Sequence, residues 1–226
     1  MAVTTILAPM FLIATLVMSP GDADQMFAAL ETRLLQAEEV RLDVQITATG
    51  AVSAEYEGTF QVDKQGMSLK QDGHFMKAES HLHLSAGQNT LQFGNGAQSK
   101  KVDQPVFLAE AMWIGLTRMG LLHNLARLHA GQGPDHAEGG VNDWVRVHNF
   151  EVLEDKTFME REMMRIKFDI RVSKIPVGSA TIWIDKQTGL PCLREQVVRF
   201  PEGEMVVRET YKTFVIQDGM VSAQKH

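Results

Sequence analysis

Ala180 to Ile216, ATIWIDKQTGLPCLREQVVRFPEGEMVVRETYKTFVI, reads as three consecutive antiparallel strands joined by two tight turns. Ala180 to Asp185 is a short apolar run, and Lys186-Gln187-Thr188-Gly189 supplies a turn whose glycine is free to take a positive φ. Leu190 to Phe200 is the second strand, Pro201-Glu202-Gly203-Glu204 turns the chain again, and Met205 to Ile216 is the third. Pro191 has no N–H to give to a ladder, which places it at a strand start or an edge. A long twisted meander of this kind needs a cover over its apolar face. The functional question is whether that cover is protein or a ligand.

The same period of two appears upstream. Leu42, Val44, Ile46 and Ala48 alternate with Arg41, Asp43, Gln45 and Thr47. Tyr56, Gly58, Phe60 and Val62 alternate with Glu55, Glu57, Thr59 and Gln61, and Gly58 marks a bend. Short apolar runs at Met67–Leu69, Phe75–Ala78, Leu82–Leu84 and Leu91–Phe93 continue the pattern. Turn signals separate them at Gln65-Gly66, Asp72-Gly73, Gly87-Gln88-Asn89 and Gly94-Asn95-Gly96. Trp144–Leu153 and Arg165–Val172 return to strands, with the charged stretch Asp155–Met164 as a hairpin end between them. The sum is one large antiparallel sheet, curled into a sandwich or a partial barrel.

Two stretches are helical in period. Asp24–Glu39 carries a narrow apolar stripe of Met26, Phe27, Leu30, Leu34 and Ala37, so it lies on a surface rather than passing through one. Pro105–Ala130 is apolar on more than one face, with a break expected near Gly115 or Gly120. It has two readings. It is the second layer of the core, or it is a movable lid over the concave side of the sheet, with Phe60, Phe93, Phe168, Met112, Trp113, Leu116 and Met119 bordering a cavity. Gly131–Asn142 is a loop.

The N-terminus opens with an apolar run, Ile6–Met18, followed by small, turn-prone residues ending at Ala23. This matches an export signal cleaved near Ala23 and is short for a membrane span; an uncleaved anchor in the inner membrane is the alternative. The expected organisation is a signal peptide over 1–23, one domain over 24–217 and a tail over 218–226, giving a periplasmic monomer.

Composition narrows the function classes. The chain has 226 residues, 44% hydrophobic and 22% charged, which suits one ordinary globular domain with a substantial core. A net charge of −6, with no basic run longer than Lys100-Lys101, argues against nucleic acid. The single cysteine, Cys192, rules out an internal disulfide and a cysteine zinc site, and beside Pro191 and Leu193 it reads as a packed thiol. His81 and His83 share a strand face and could meet a metal, but Leu82 and Leu84 take the apolar face, which sends the histidines to solvent. Glu57, Asp169 and Asp185 read as outward and solvated. Hydrolase, P-loop and dinucleotide motifs are absent, so neither a catalytic constellation, a metal site nor a cofactor is expected.

The order of pieces resembles the LolA/LolB-like superfamily of periplasmic lipoprotein carriers. Val40–Thr47, VRLDVQIT, is similar to the family's opening strand, Glu57–Val62, EGTFQV, to its second, and Trp183–Glu195, WIDKQTGLPCLRE, to its strand–D-x-x-T-G-L-P–strand hairpin. Val44 stands where carriers often place an aromatic. The resemblance covers most of residues 24–217. It implies an α+β fold, a curved antiparallel sheet forming an unclosed half-barrel with helices covering the concave face. It also implies a non-catalytic carrier holding a lipid or acylated lipoprotein in an apolar cavity. The alternative is an envelope protein-interaction or stress-sensor module with a filled core.

Overall fold

The computed structural model describes residues 20–63, 68–75, 80–87, 89–95, 98–104, 115–130 and 144–217. Helix α1 (Pro20–Gln36) leads into six strands: β1 (Glu39–Gly50), β2 (Ala54–Asp63), β3 (Ser68–Phe75), β4 (Ser80–Gly87), β5 (Thr90–Asn95) and β6 (Gln98–Asp103). A π-helical turn (Gly115–Met119) and helix α2 (Leu122–His129) interrupt the strands. Five more follow: β7 (Val145–Phe158), β8 (Arg161–Val172), β9 (Ile175–Asp185), β10 (Pro191–Phe200) and β11 (Gly203–Gln217). All eleven join one sheet in the order β6-β5-β4-β3-β2-β1-β11-β10-β9-β8-β7. Every pairing is antiparallel, and β6 and β7 do not meet, so this is an unclosed half-barrel.

The one long-range closure in that order is β1 against β11, and the alternation of β1 explains it. Val40, Leu42, Val44, Ile46 and Ala48 are buried while their neighbours are not, so one face of β1 looks into the core throughout. Their partners on β2 are Val62, Phe60, Gly58, Tyr56 and Ala54, in register. Asp72-Gly73 is not a turn, as the sequence suggests, but the middle of β3. Gly73 lies directly opposite Gly58, and a β-carbon on either would collide with the Tyr56 hydroxyl. The two glycines clear a slot for that buried ring.

The concave face carries the core. Helix α1 lays Phe27 against Phe168 of β8 and Phe150 of β7, at ring-centroid distances of 4.8 and 5.1 Å. Helix α2 touches β4 and β5 and covers the other wing. Helix α1 begins four residues before the expected Asp24 because Pro20 suits a first helical turn and Asp22 favours its N-terminus. Ala23 is buried within it. The predicted long helix over 105–130 is, in its described part, the π turn and α2, separated at Gly120; residues 105–114, which include Met112 and Trp113, lie outside the described residues, as do the apolar run at 6–18 and the tail at 218–226. No helix among the described residues is long and apolar enough to cross a membrane.

A second, smaller cluster sits on the convex face, where Met163, Trp183, Cys192 and Leu193 pack with Phe158. Burial raises the Cys192 thiol above its ordinary value. Asp185 corrects the sequence reading: it is buried, not solvated. Its carboxylate accepts from Arg161 Nη1 at 2.9 Å and from the Gln187 N–H at 2.8 Å, closing the turn that follows β9. Burial pushes its pKa up, but the donors from Gln187 and Arg161 outweigh it and hold the group below its ordinary value.

Candidate functional site

The register sets Arg194 of β10 directly opposite Glu209 of β11, and both are fully buried on the concave face. Two buried charges are costly unless every polar atom is met, and here the covering helices meet them. Arg194 donates from Nη2 to the Arg118 carbonyl at 2.6 Å, from Nε to the Thr117 carbonyl at 3.4 Å and from Nη1 to Gln196 Oε1 at 2.7 Å. Glu209 Oε1 accepts the Leu121 N–H at 2.6 Å and the Leu122 N–H at 3.3 Å, and Oε2 accepts the Tyr211 hydroxyl at 2.9 Å. The cation therefore meets carbonyls at the end of the π turn and the anion meets the free N–H groups that start α2. Burial, reinforced by Glu209, pushes the Tyr211 phenol well above its ordinary value, so it stays a donor.

Gly120 lies between those two contacts at φ +84°. A β-carbon there would meet Arg194 Nη1 at 2.5 Å and Glu209 Oε1 at 2.7 Å. Glycine is thus needed twice over, for its dihedral and for its lack of volume. A second clamp holds the π turn from the other side. Arg118 donates from Nε and Nη2 to the two oxygens of Glu31 on α1, both at 2.7 Å, and from Nη1 to the Val145 carbonyl at 2.9 Å, while Thr117 Oγ1 donates to Glu31 at 2.8 Å.

Beyond this latch, a pocket of about 360 Å³ lies between α2 and strands β10 and β11. Met119, Leu122, His123 and Ala126 form its helical wall. Gln196, Val198 and Phe200 of β10 and Met205, Val207 and Glu209 of β11 form its sheet wall, with Val52, Ala54, Val172 and Val177 at the sides. The pairings Gly50 with Met205 and Val198 with both Met205 and Gly178 bring the β1–β2, β8–β9 and β10–β11 hairpin tips to this one end. Its rim is apolar and exposed: Val52 is 48% exposed and Phe200 39%.

The residues singled out from sequence divide into three groups. Leu116 and Met119 sit in the π turn, and Met119 lines the pocket. Phe60, Phe93 and Phe168 are closed into the core and are not on this lining. Met112 and Trp113 lie outside the described residues. Arg194, Gln196 and Glu209 were missed. Their signal was available: on β10 and β11 they share a face with Val198, Phe200, Val207 and Tyr211, so apolar neighbours two residues away marked that face as the inner one. Among the described residues no cluster of three or more His, Cys, Asp or Glu could hold a metal ion.

The fold and site define a class: an unclosed antiparallel half-barrel with an apolar pocket under a latched helical segment. No protein-family profile and no curated protein sequence matches the chain. Solved structures are similar to it. The lipoprotein LppX of Mycobacterium tuberculosis shares 13% identity at a TM-score of 0.46, over 84% of this chain and 95% of that one. A putative outer membrane lipoprotein-sorting protein domain from Vibrio parahaemolyticus shares 8% at 0.39, over 90% and 96%. The Pseudomonas aeruginosa MucA/MucB complex shares 11% at 0.43, and there the chain covers 91% of itself but spans only 61% of its match.

Proposed function

We propose that the protein is a non-catalytic binding or carrier protein of the bacterial envelope that holds an acyl chain of a lipid, or of an acylated lipoprotein, in the pocket beneath α2. The observation that carries this reading is the pocket itself, lined almost wholly by aliphatic, methionine and phenylalanine side chains and open to solvent at an apolar rim. Its 360 Å³ falls at the lower end of the volumes typical of small-molecule sites, about 300–1,000 Å³. Each methylene transferred from water into it contributes about 0.8 kcal/mol, so a chain of modest length binds without any charged contact. The apolar run at the N-terminus supports export, and the motif resemblance to lipoprotein carriers agrees with both points.

The test is saturable binding of the neutral fluorescent probe N-phenyl-1-naphthylamine. Ala126 lines the pocket from an exposed position on α2, so Ala126→Trp fills the pocket at little cost to folding. Probe binding that saturates in the parent protein and falls at least tenfold in this variant is the expected result. Equal binding by both proteins refutes the reading.

A second reading, an envelope protein-interaction module, rests on β6, an edge strand whose six residues are all exposed. A partner adding a strand there would be blocked by Lys101→Pro, which leaves the pocket untouched.

A further inference from the structure

We infer that Gln196 reads an uncharged carbonyl group on the bound chain, so that the ligand is an acyl compound with a compact ester, amide, ketone or aldehyde end rather than a plain alkyl chain or a carboxylate. This rests on the reading that the pocket takes such a chain, and it adds the chemistry of the chain's polar end.

Gln196 is 5% exposed and lines the pocket. Which way its amide faces is dictated by its neighbour. Arg194 Nη1 lies 2.7 Å from Oε1, and a guanidinium can only donate, so the oxygen must face Arg194 and the NH2 must point away from it. That NH2 has no partner among the described residues, and it is directed into an apolar chamber. An apolar chain entering the pocket strips water from this donor, so a ligand that brings an acceptor gains over one that does not. Of the other polar groups at the pocket, His123 stands at an exposed position on the helical wall, away from the buried floor, and the two buried ones cannot play this part. Arg194 is fully buried, bonded through all three nitrogens to Gln196, Thr117 and Arg118, and is not on the pocket lining. Glu209 also lines the pocket, and its oxygens already accept from Leu121, Leu122 and Tyr211, so it offers an incoming carboxylate only repulsion. What the floor offers is a neutral donor beside a carboxylate. That combination selects a neutral acceptor.

Depth fixes the orientation. Gln196 lies four residues along β10 from Phe200 at the rim, roughly 13 Å at about 3.3 Å per residue. The carbonyl end therefore leads into the pocket and the alkyl chain runs back along Val198 and Met205 toward the hairpin tips, which a small acyl ester can do and a chain tethered to a lipoprotein cannot, so the ligand narrows to the former.

Displacement of N-phenyl-1-naphthylamine by methyl laurate, tridecane and sodium laurate at neutral pH tests this. In the parent protein methyl laurate should compete about fivefold better than tridecane, the effect of one neutral hydrogen bond, and laurate should be the weakest of the three. Gln196→Glu keeps an acceptor for Arg194 and the side-chain shape but removes the donor. It should abolish or reverse the preference for the ester, while tridecane still displaces the probe. Gln196→Met, which removes the donor without adding charge, should bring the ester and the alkane to equal affinity. Ester and alkane binding equally in the parent, or a ratio unchanged in Gln196→Glu, overturns the assignment of Gln196 while leaving the pocket reading intact. Failure of all three chains to displace the probe overturns the pocket reading itself, and this inference with it.

Discussion

Replacing Arg194 with leucine probes the latch directly. The substitution removes the donors to the Arg118 and Thr117 carbonyls and to Gln196, and it strands the Glu209 carboxylate in a fully buried position. The two charges face each other across the register without direct contact, and removing one of two facing buried charges typically costs about 3–5 kcal/mol, because the other is left uncompensated. That is a large share of the roughly 5–15 kcal/mol that stabilises a domain. The double variant Arg194→Leu, Glu209→Leu should not cost the sum of the two singles. With both charges gone there is nothing left to strand, and the loss reduces to the cap on α2, about 1 kcal/mol, and to carbonyls left unmet, about 1–3 kcal/mol. The double variant should therefore be no less stable than Arg194→Leu alone. Urea unfolding followed by tryptophan fluorescence measures all four corners of the cycle. A single variant within about 1 kcal/mol of the parent, or strictly additive losses, would refute the view that these two buried charges compensate each other while the helix ends bond them.

Gly120→Ala should destabilise by about 1–3 kcal/mol, since it imposes a positive φ on a residue with a side chain and drives that side chain into Arg194 and Glu209; an unchanged urea midpoint would contradict this. Asp185 has a folded-state pKa below its ordinary 3.8, so the stability it contributes is present above that value and is lost as pH falls below it through the folded value. Asp185→Asn should consequently flatten the acid end of the stability profile, and an identical acid slope in parent and variant would count against the Arg161 and Gln187 contacts.

The sheet was readable where its strands keep one face buried. In β1, five alternate apolar residues are buried and their neighbours are not, and the Lys186–Gly189 and Pro201–Gly203 turns fell where turn chemistry pointed. It was unreadable where the chemistry is disguised. The β7–β8 and β8–β9 turns put positive φ on Met159-Glu160 and Ser173-Lys174, with no glycine to announce them. Asp72-Gly73 looked like a turn because a glycine paired with another across two strands has the same appearance in sequence as one that reverses the chain. Phe60, Phe93 and Phe168 were natural candidates for a cavity lining, yet all three are closed into the core, and the phenylalanine that lines the pocket is Phe200.

Alternation by itself determined that this chain makes a large antiparallel sheet with a cover, because a period of two is a local property of each strand. It could not decide what the inner face of β10 and β11 touches. Arg194, Gln196 and Glu209 are polar residues among apolar ones, and in sequence such residues look like exceptions turned toward water. Only the packing of the π turn and α2 against that face supplies the carbonyls and N–H groups that make their burial affordable. Those partners lie about eighty residues away along the chain, and they meet only when the sheet curls beneath the helices.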